Sequence, residues 1–394
     1  MSKSTFLEKL LDGAGAEWVP LQKLVKTLTA AAKIQRGKYE TVGDIPVIDQ
    51  GADFIAGYTD KGNKATELGQ YVIFGDHTEH VKYVDFIFAQ GADGLKILQP
   101  ISSNPKYIYY AFQTFYTKEF QYKRHWSKAK DTEIPIPCPE NPEKSLAIQA
   151  EIVRILDTFT ELTTELTAEL TARKKQYNYY RDQLLTFEEG EVEWKPLEEV
   201  ATFRRGSFPQ PYGNAEWYDG EGCMPFVQVA DVANFGYTMH NITKQQISVL
   251  AQPKSIFVES GSVVVTLQGT IGRVAITQYD CYVDRTLAIF TSYKVKLNKK
   301  YFAHQLKAKF DKEKEFARGS TIKTITKAEF SKFEIPLPPI NEQDRIVAIL
   351  DKFDTLTHSI SEGLPREIEL RQKQYEYYRD LLLNFPKPQT EGVA

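Results

Sequence analysis

Little cysteine, no long apolar run and no strong charge of either sign mark this 394-residue sequence, and each lack removes a class of protein. Cys138, Cys223 and Cys281 lie far apart with no CxxC spacing, so neither a disulfide framework nor a zinc knuckle is supported. No apolar stretch approaches the ~20 residues that a membrane span needs. In the opening MSKSTFLEKLLDGAGAEW, Glu8, Lys9 and Asp12 interrupt the only apolar patch, which predicts no signal peptide and a cytoplasmic protein. A net charge of −3 argues against nonspecific coating of nucleic acid, but the sum hides two basic clusters. Residues 294–332 hold twelve Lys/Arg against four Asp/Glu, and KEFQYKRHWSKAK at 118–130 holds five against one.

Catalytic motifs are lacking too. GYTDKGNKA at 57–65 has two glycines at P-loop spacing, but Asn63 stands where the lysine belongs, so it reads as a polar turn. GTIGR at 269–273 lacks the third glycine and following helix of a dinucleotide fingerprint and reads as a hairpin turn. No HExxH, no GxSxG, no kinase set and no Asn/Asp-Pro-Pro-aromatic tetrapeptide occurs. In GDHTEH at 75–80, His77 and His80 with Asp76 and Glu79 could bind a metal, but no third ligand follows at suitable spacing. A surface loop touching a ligand such as DNA is the preferred reading, and neither a metal site nor a catalytic residue is expected.

What is present is a repeat of period near 190. KQYNYYRDQLLTF at 175–187 returns as KQYEYYRDLLLNF at 373–385 with ten of thirteen letters identical. IVRILDTFTEL at 152–162 returns as IVAILDKFDTL at 346–356, EIPIP at 133–137 as EIPLP at 334–338, and EWVPLQKL at 17–24 as EWKPLEEV at 193–200. Each half thus reads as an opener, a long variable block, an IPxP boundary and a long helix. The chain's two ends together echo the junction that follows the first helix, so a pseudo-twofold ring of the two units is expected.

Ile152, Ile155, Leu156, Phe159, Leu162, Leu166, Leu170, Tyr177 and Tyr180 recur at three- and four-residue steps, predicting one helix over 143–187 that would extend ~65 Å. Asn141 or Ser145 could cap it. Ile346, Ile349, Leu350, Phe353, Leu356, Ile360, Tyr375 and Tyr378 give the second copy its stripe over 341–385, with Gly363 and Pro365 predicting a break near 361–365. Two such stripes most simply pack as an antiparallel coiled coil carrying one variable domain at each end. The variable blocks mix β-rich runs such as GQYVIF (69–74) and SGSVVVTLQGTIGRVAI (260–276) with helical segments at 104–116 and 298–310. The expected architecture is α+β: a first recognition domain over 1–142, a spacer helix over 143–192, a second domain over 193–340 and a second spacer helix with tail over 341–394.

KSLAIQAEIVRILDTF (144–159), RKKQYNYYRDQLLTFEEGEVEWK (173–195), PPINEQDRIVAILDKFDTLT (338–357) and EGLPREIELRQKQYEYYRDLLLNFPKP (362–388) closely resemble the specificity subunit of type I restriction–modification enzymes, in particular its type IC branch. The resemblance covers the openers, helices and tail; the variable blocks are similar to target-recognition domains in outline only. It implies a non-catalytic reader of double-stranded DNA in which each block binds one half of a split, asymmetric site. The helices would set the distance between halves and dock two adenine-methylating modification subunits, with two restriction subunits completing the complex. S-adenosylmethionine, ATP and magnesium would belong to those partners, with no cofactor bound by this chain.

Under that reading, Lys/Arg-rich segments contact phosphates and polar side chains on loops read base edges. The candidates are Lys33, Arg36, Lys38, His77, Thr78, Lys82, Lys123, Arg124 and Lys128 in the first block, and Arg204, Arg205, Gln268, Arg273, Arg318, Ser320 and Lys323 in the second. Tyr177, Tyr179 and Tyr180 could stack on bases but read better as packing residues on the helix stripe. TELTTELTAELT at 160–171 is three near-identical tetrapeptides. Each adds ~6 Å and a net ~40° of turn, similar to the rotation between successive base pairs, so it is either a spacer ruler or simply good helix. Two rivals remain on sequence alone: a coiled-coil scaffold joining protein-binding domains, and a self-sufficient DNA methyltransferase or nuclease.

Overall fold

The computed structural model describes residues 15–28, 32–62, 65–91, 94–188, 190–316, 325–359 and 361–387. The chain divides into two compact units, unit 1 being residues 1–164 with 370–394 and unit 2 residues 165–369. No helix of the described residues is long and apolar enough to cross a membrane.

In unit 1 the opener and boundary motifs pair: β1 (Ala16–Pro20) runs antiparallel to β9 (Glu133–Pro137), with Trp18 opposite Pro135. Behind them lies an antiparallel sheet in the order β2 (Val25–Leu28), β8 (Leu95–Pro100), β5 (Tyr71–Gly75), β6 (Val81–Val84). β5 is buried throughout because its alternating side chains feed two cores. Val72 and Phe74 pack with Tyr107, Ile108 and Phe112 of α1 (Pro105–Phe115), while Tyr71 and Ile73 pack with Ile48, Val84 and Phe88. The second core leads to a small sheet, β4 (Gly57–Thr59), β3 (Ile45–Ile48), β7 (Ala89–Gln90), whose β3–β7 pair is parallel. Asn104 caps α1 by accepting from the backbone N–H groups of Lys106 and Tyr107 at 3.0 and 3.2 Å, and its own N–H donates to Gln149 Oε1 at 2.8 Å. The buried Tyr107 hydroxyl donates to the Pro135 carbonyl at 2.6 Å.

Residue by residue, α2 (Pro142–Leu185) then carries the chain on as one 44-residue helix. Asn141 is its cap, accepting from the Lys144 N–H at 3.0 Å, whereas Ser145 is buried and bonded to Gln149. The repeated tetrapeptides are helical throughout, with Leu162, Leu166 and Leu170 half-buried. Thr163, Thr164 and Thr171 return their hydroxyls to the carbonyl four residues earlier, at 2.8 to 2.9 Å, which satisfies the hydroxyls within the helix itself.

Unit 2 repeats the plan. β10 (Glu193–Pro196) pairs with β19 (Glu334–Leu337), and the main sheet runs β11 (Ala201–Arg205), β18 (Leu287–Tyr293), β15 (Val263–Thr266), β16 (Val274–Ile276). The smaller sheet is β13 (Gln245–Ile247), β12 (Met224–Val227), β17 (Cys281–Val283), β14 (Ile256–Val258), with β12 and β17 parallel. Val263 and Val265 face Phe302, Leu306 and Phe310 of α3 (Lys299–Phe316), and Val264 faces Cys281 and Val283. Asn298 caps α3 and donates to Gln343 Oε1 at 2.9 Å, and Tyr301 donates to the Pro336 carbonyl at 3.0 Å, the same bonds as in unit 1.

The second long helix is broken where Gly363 and Pro365 predict it, into α4 (Ile340–His358) and α5 (Gly363–Leu382). Gly363 sits at φ +73°, where a Cβ would strike the carbonyls of Thr355 and Leu356. Residues of the two stripes pack together within each unit. In unit 1, Ile152 and Leu156 share a core with Leu382, Leu383 and Phe385, Phe159 stacks on Tyr378 at 5.1 Å, and Ile155 and Tyr375 pack alongside. In unit 2, Tyr177 shares a core with Ile346 and Leu350, and Tyr180, though 39% exposed, stacks on Phe353 at 5.7 Å. Early residues of α2 thus meet late residues of the second helix and late meet early, the order of an antiparallel pair. Ile349 and Leu356 are half-buried, and Ile360 lies outside the described residues.

Candidate nucleic-acid interface

The β5–β6 turn in unit 1 is GDHTEH, and its two acids point inward. Glu79 is 2% exposed; its Oε1 accepts from the Tyr116 hydroxyl at 2.6 Å and the Glu119 N–H at 2.8 Å, and its Oε2 from the Phe120 N–H at 2.8 Å. Burial alone would raise its pKa, but those bonds and nearby His125 bring it below the usual carboxylate value. Asp76 accepts from the Trp126 N–H at 2.8 Å. With both acids committed to protein donors, Asp76, His77, Glu79 and His80 do not converge on a metal. Asp76 and Glu79 instead fasten the basic segment 116–128 against the hairpin turn through Tyr116, Glu119, Phe120 and Trp126.

Apart from buried Tyr116 and His125 and half-buried Glu119 and Trp126, that segment presents its side chains outward. Glu119 gathers Lys123 at 2.8 Å and Lys128 at 3.0 Å, and these two bonds hold its carboxyl down at about 2. His125, fully buried, donates Nε2–H to the Gln121 carbonyl at 2.7 Å. Tyr122 is 92% exposed and stacks on His77 at 5.3 Å; Phe120, Lys118 and Arg124 are exposed beside it in sequence. Burial, then the charges of Lys118 and Lys82, pushes His80 down. Lys118, Phe120 and Tyr122 were not among the sequence candidates, although aromatics interleaved with cations are a readable sign of base stacking beside phosphate contact.

The candidate cations fall into two sets. Lys82 is buried, with Nζ donating to the carbonyls of Asp49 at 2.9 Å and Asp53 at 2.5 Å; burial pushes its pKa down against the pull of those two acids. In unit 2, Arg273 does the same work from the far arm of the β15–β16 hairpin, donating to the carbonyls of Val229 and Val232 at 3.3 and 3.1 Å. Each ties its hairpin to the loop of the smaller sheet, so each is spoken for structurally. Thr78 is similarly bound to the Gln50 carbonyl, and Arg205 donates to the Ile325 carbonyl at 3.2 Å. By contrast Arg36, Lys38, Arg124 and Arg204 are exposed with no side-chain bond among the described residues, and Lys33 is exposed.

The unit 2 turn at 267–273 forms the hairpin predicted from GTIGR. Gly272 has φ +76° and a Cβ there would stand 2.5 Å from Phe310 Cβ, so only glycine lets the turn lie on α3. Gln268 is half-buried, and Gly269 and Thr270 are exposed at the tip. Ile325, just after the basic segment that follows α3, donates its N–H to the Leu267 carbonyl at 3.3 Å. Here too, then, chain following the unit's core helix returns to the hairpin turn. Arg318, Ser320 and Lys323 lie outside the described residues.

Residues 17–173 and 189–370 match the family described as type I restriction modification DNA specificity domain. The chain is 42% identical to the type I restriction enzyme EcoR124I/EcoR124II specificity subunit of Escherichia coli over 99% of each protein. The chain belongs to the type I restriction–modification DNA specificity family. A putative type I restriction enzyme specificity subunit of Haemophilus influenzae is 32% identical over 97% of this chain and 98% of its own length. The fold is similar to that of the type I system S subunit from M. genitalium, with a TM-score of 0.58, 15% identity and coverage of 96% and 98% of the two chains. It is also similar to a chain from a structural study of complex assembly and conformational transition of the type I R-M system, with a TM-score of 0.60, 17% identity and 94% and 97% coverage. As a specificity-family chain, the protein supplies DNA sequence recognition and no catalysis to a restriction–modification system, with DNA and the methyltransferase and restriction subunits as its partners. The scaffold and self-sufficient enzyme readings are set aside on that ground.

Proposed function

We propose that each unit reads one half of a bipartite DNA site with its hairpin turn and the basic segment fastened to it. The observation that carries this reading is the recurrence of one arrangement, hairpin turn plus post-helix chain, with different side chains in the two units. In unit 1, Arg36, Lys38, Lys118, Lys123, Arg124 and Lys128 hold phosphates, and Tyr122 on His77 offers an aromatic face. In unit 2, Arg204, Gln268 and the exposed turn tip take the corresponding parts, with the second basic segment. The α2 stripe and its partners set the distance between half-sites and dock two modification subunits, and two restriction subunits join the full assembly. S-adenosylmethionine, ATP and magnesium serve those partners, and the complex works in the cytoplasm.

Single-molecule methylation sequencing of DNA from cells carrying this chain with its modification subunit tests the reading. Two short half-sites separated by a fixed spacer are expected; a single contiguous target would overturn it. Deleting residues 164–167 removes one turn of α2 and shortens the recognised spacer by about one or two base pairs, with both half-sites unchanged. The parental spacer in that variant would sink the ruler role.

A further inference from the structure

Where α3 crosses α4, unit 2 holds a group of side chains that DNA reading does not use. His304 on α3 and Asp351 and Asp354, one turn apart on α4, each offer a ligand atom, and these atoms all lie within 4.8 Å of one another. His304 has no exposed surface, yet neither of its ring nitrogens has a hydrogen-bond partner. Buried polar atoms are almost always paired, so two orphaned nitrogens on one fully buried ring call for a partner beyond the protein's own hydrogen-bonding groups.

Unit 1 supplies the internal control. Tyr110 stands six residues after the capping Asn104, as His304 stands six after Asn298, and Asp157 and Thr160 occupy the places of Asp351 and Asp354. Around them the units agree: Lys106 pairs with Asp157 at 2.7 Å and Lys300 with Asp351 at 2.7 Å. In unit 1 the Tyr110 hydroxyl closes the cluster, donating to Asp157 Oδ1 at 2.7 Å and lying 3.4 Å from Thr160 Oγ1. Unit 2 replaces the two neutral hydroxyl groups with an imidazole and a second carboxylate, and neither ring nitrogen of His304 makes the bond that the Tyr110 hydroxyl makes.

We infer that unit 2 binds one divalent transition-metal ion, best zinc, through His304, Asp351 and Asp354. One imidazole with two carboxylates suits zinc and its neighbours, whereas magnesium and calcium favour oxygen alone. His304 brings a fully buried ring whose two nitrogens have no hydrogen-bond partner, so one of them is available to coordinate the ion. Lys300 lies close to Asp351 Oδ1 but off the line of a directed hydrogen bond, and it is 41% exposed, so it can yield that oxygen to a metal. His358 Nδ1 lies 3.3 Å from Asp354 and steadies it, and the Tyr237 ring covers His304 at 4.2 Å. Asp354, but neither His304 nor Asp351, lines a cleft of about 280 Å³ with Tyr177, Arg181, Lys307 and His358, so the ion would approach from the Asp354 side. The bound ion would clamp α3, on which the recognition hairpin rests through Gly272 and Phe310, to α4.

The test uses the tag-free full chain with its modification subunit, stripped of metal and titrated with zinc chloride against a chromophoric chelator, with elemental analysis and thermal unfolding alongside. One zinc per chain and a raised Tm are expected. The double substitution His304→Tyr with Asp354→Thr installs the unit 1 set; it should fold, lose the zinc and lose the Tm increase. Should that variant misfold, Asp354→Asn alone must weaken zinc binding at least ~10-fold. Absence of stoichiometric zinc in the parent chain, or zinc retained at parental affinity by the substituted chains, overturns the proposal.

Discussion

Units 1 and 2 keep the same internal bonds while exchanging the surfaces those bonds support. The Asn cap, the Gln acceptor on the long helix, the Tyr hydroxyl on the IPxP carbonyl and the Lys–Asp pair recur in both. The hairpin turns, each tied to the loop of its smaller sheet by Lys82 or Arg273, hold the chain after the core helix by different means: unit 1 through a buried glutamate, and unit 2 through the backbone bond from Ile325 to Leu267. A protein that must change what it reads without changing how it assembles would divide its sequence in this way. The fixed bonds lie at the helix side of each main sheet, and the variable ones at the hairpin.

Equivalence is tested most severely in the cores. Leu156 and Leu350 are fully buried at matching positions of the two stripes. Leu156→Ala and Leu350→Ala should each cost about 2–5 kcal/mol. Denaturant unfolding of the two variants checks this, and a large loss in one with little in the other would break the equivalence.

A difference between the units is next. Glu79→Ala leaves the buried Tyr116 hydroxyl and two backbone N–H groups without their acceptor and should cost about 2–3 kcal/mol. Hydrogen exchange should rise over residues 116–125 and stay parental in unit 2. Glu79→Gln keeps a carbonyl acceptor and should lose less. Because the Glu79 and Glu119 carboxyls titrate below their ordinary range, their contribution is complete above that range and is lost as pH falls, for Glu119 through about 2. Exchange protection of this loop should therefore hold at pH 6 and decline in acid.

Much of the shared frame was legible in the sequence, because a stripe such as Ile152, Ile155, Leu156 and Phe159 has helical period and its copy can be laid beside it. Gly363 and Pro365 announced the break between α4 and α5 for equally local reasons. The hairpin at 267–273 was legible from its glycines. What could not be read was commitment: Lys82 and Arg273 look like free cations until the fold brings carbonyls from 33 and 41 residues away onto their donors. Glu79 hid in a motif read as a surface loop for the same reason. His304 differs from Tyr110 by one letter, and its meaning depends on a second helix that the sequence places far downstream.

That distinction between committed and free cations yields the smallest predicted effects and the sharpest contrast. Lys82→Met removes two charge-assisted bonds from a buried ammonium, so it should lower stability by about 1.5–3 kcal/mol. Its salt dependence of DNA binding by the assembled complex should stay parental, since the ammonium reaches no phosphate. Arg124→Ala, at an exposed position bonded to nothing among the described residues, should leave stability within about 0.5 kcal/mol. If Arg124 neutralises one phosphate, the slope of log affinity against log salt should fall by about 0.9. Thermal unfolding and salt-titrated binding on both variants separate the cases: a slope change in Lys82→Met with parental stability would reverse the assignment, and its absence in Arg124→Ala would remove the 116–128 segment's arginine from the DNA interface.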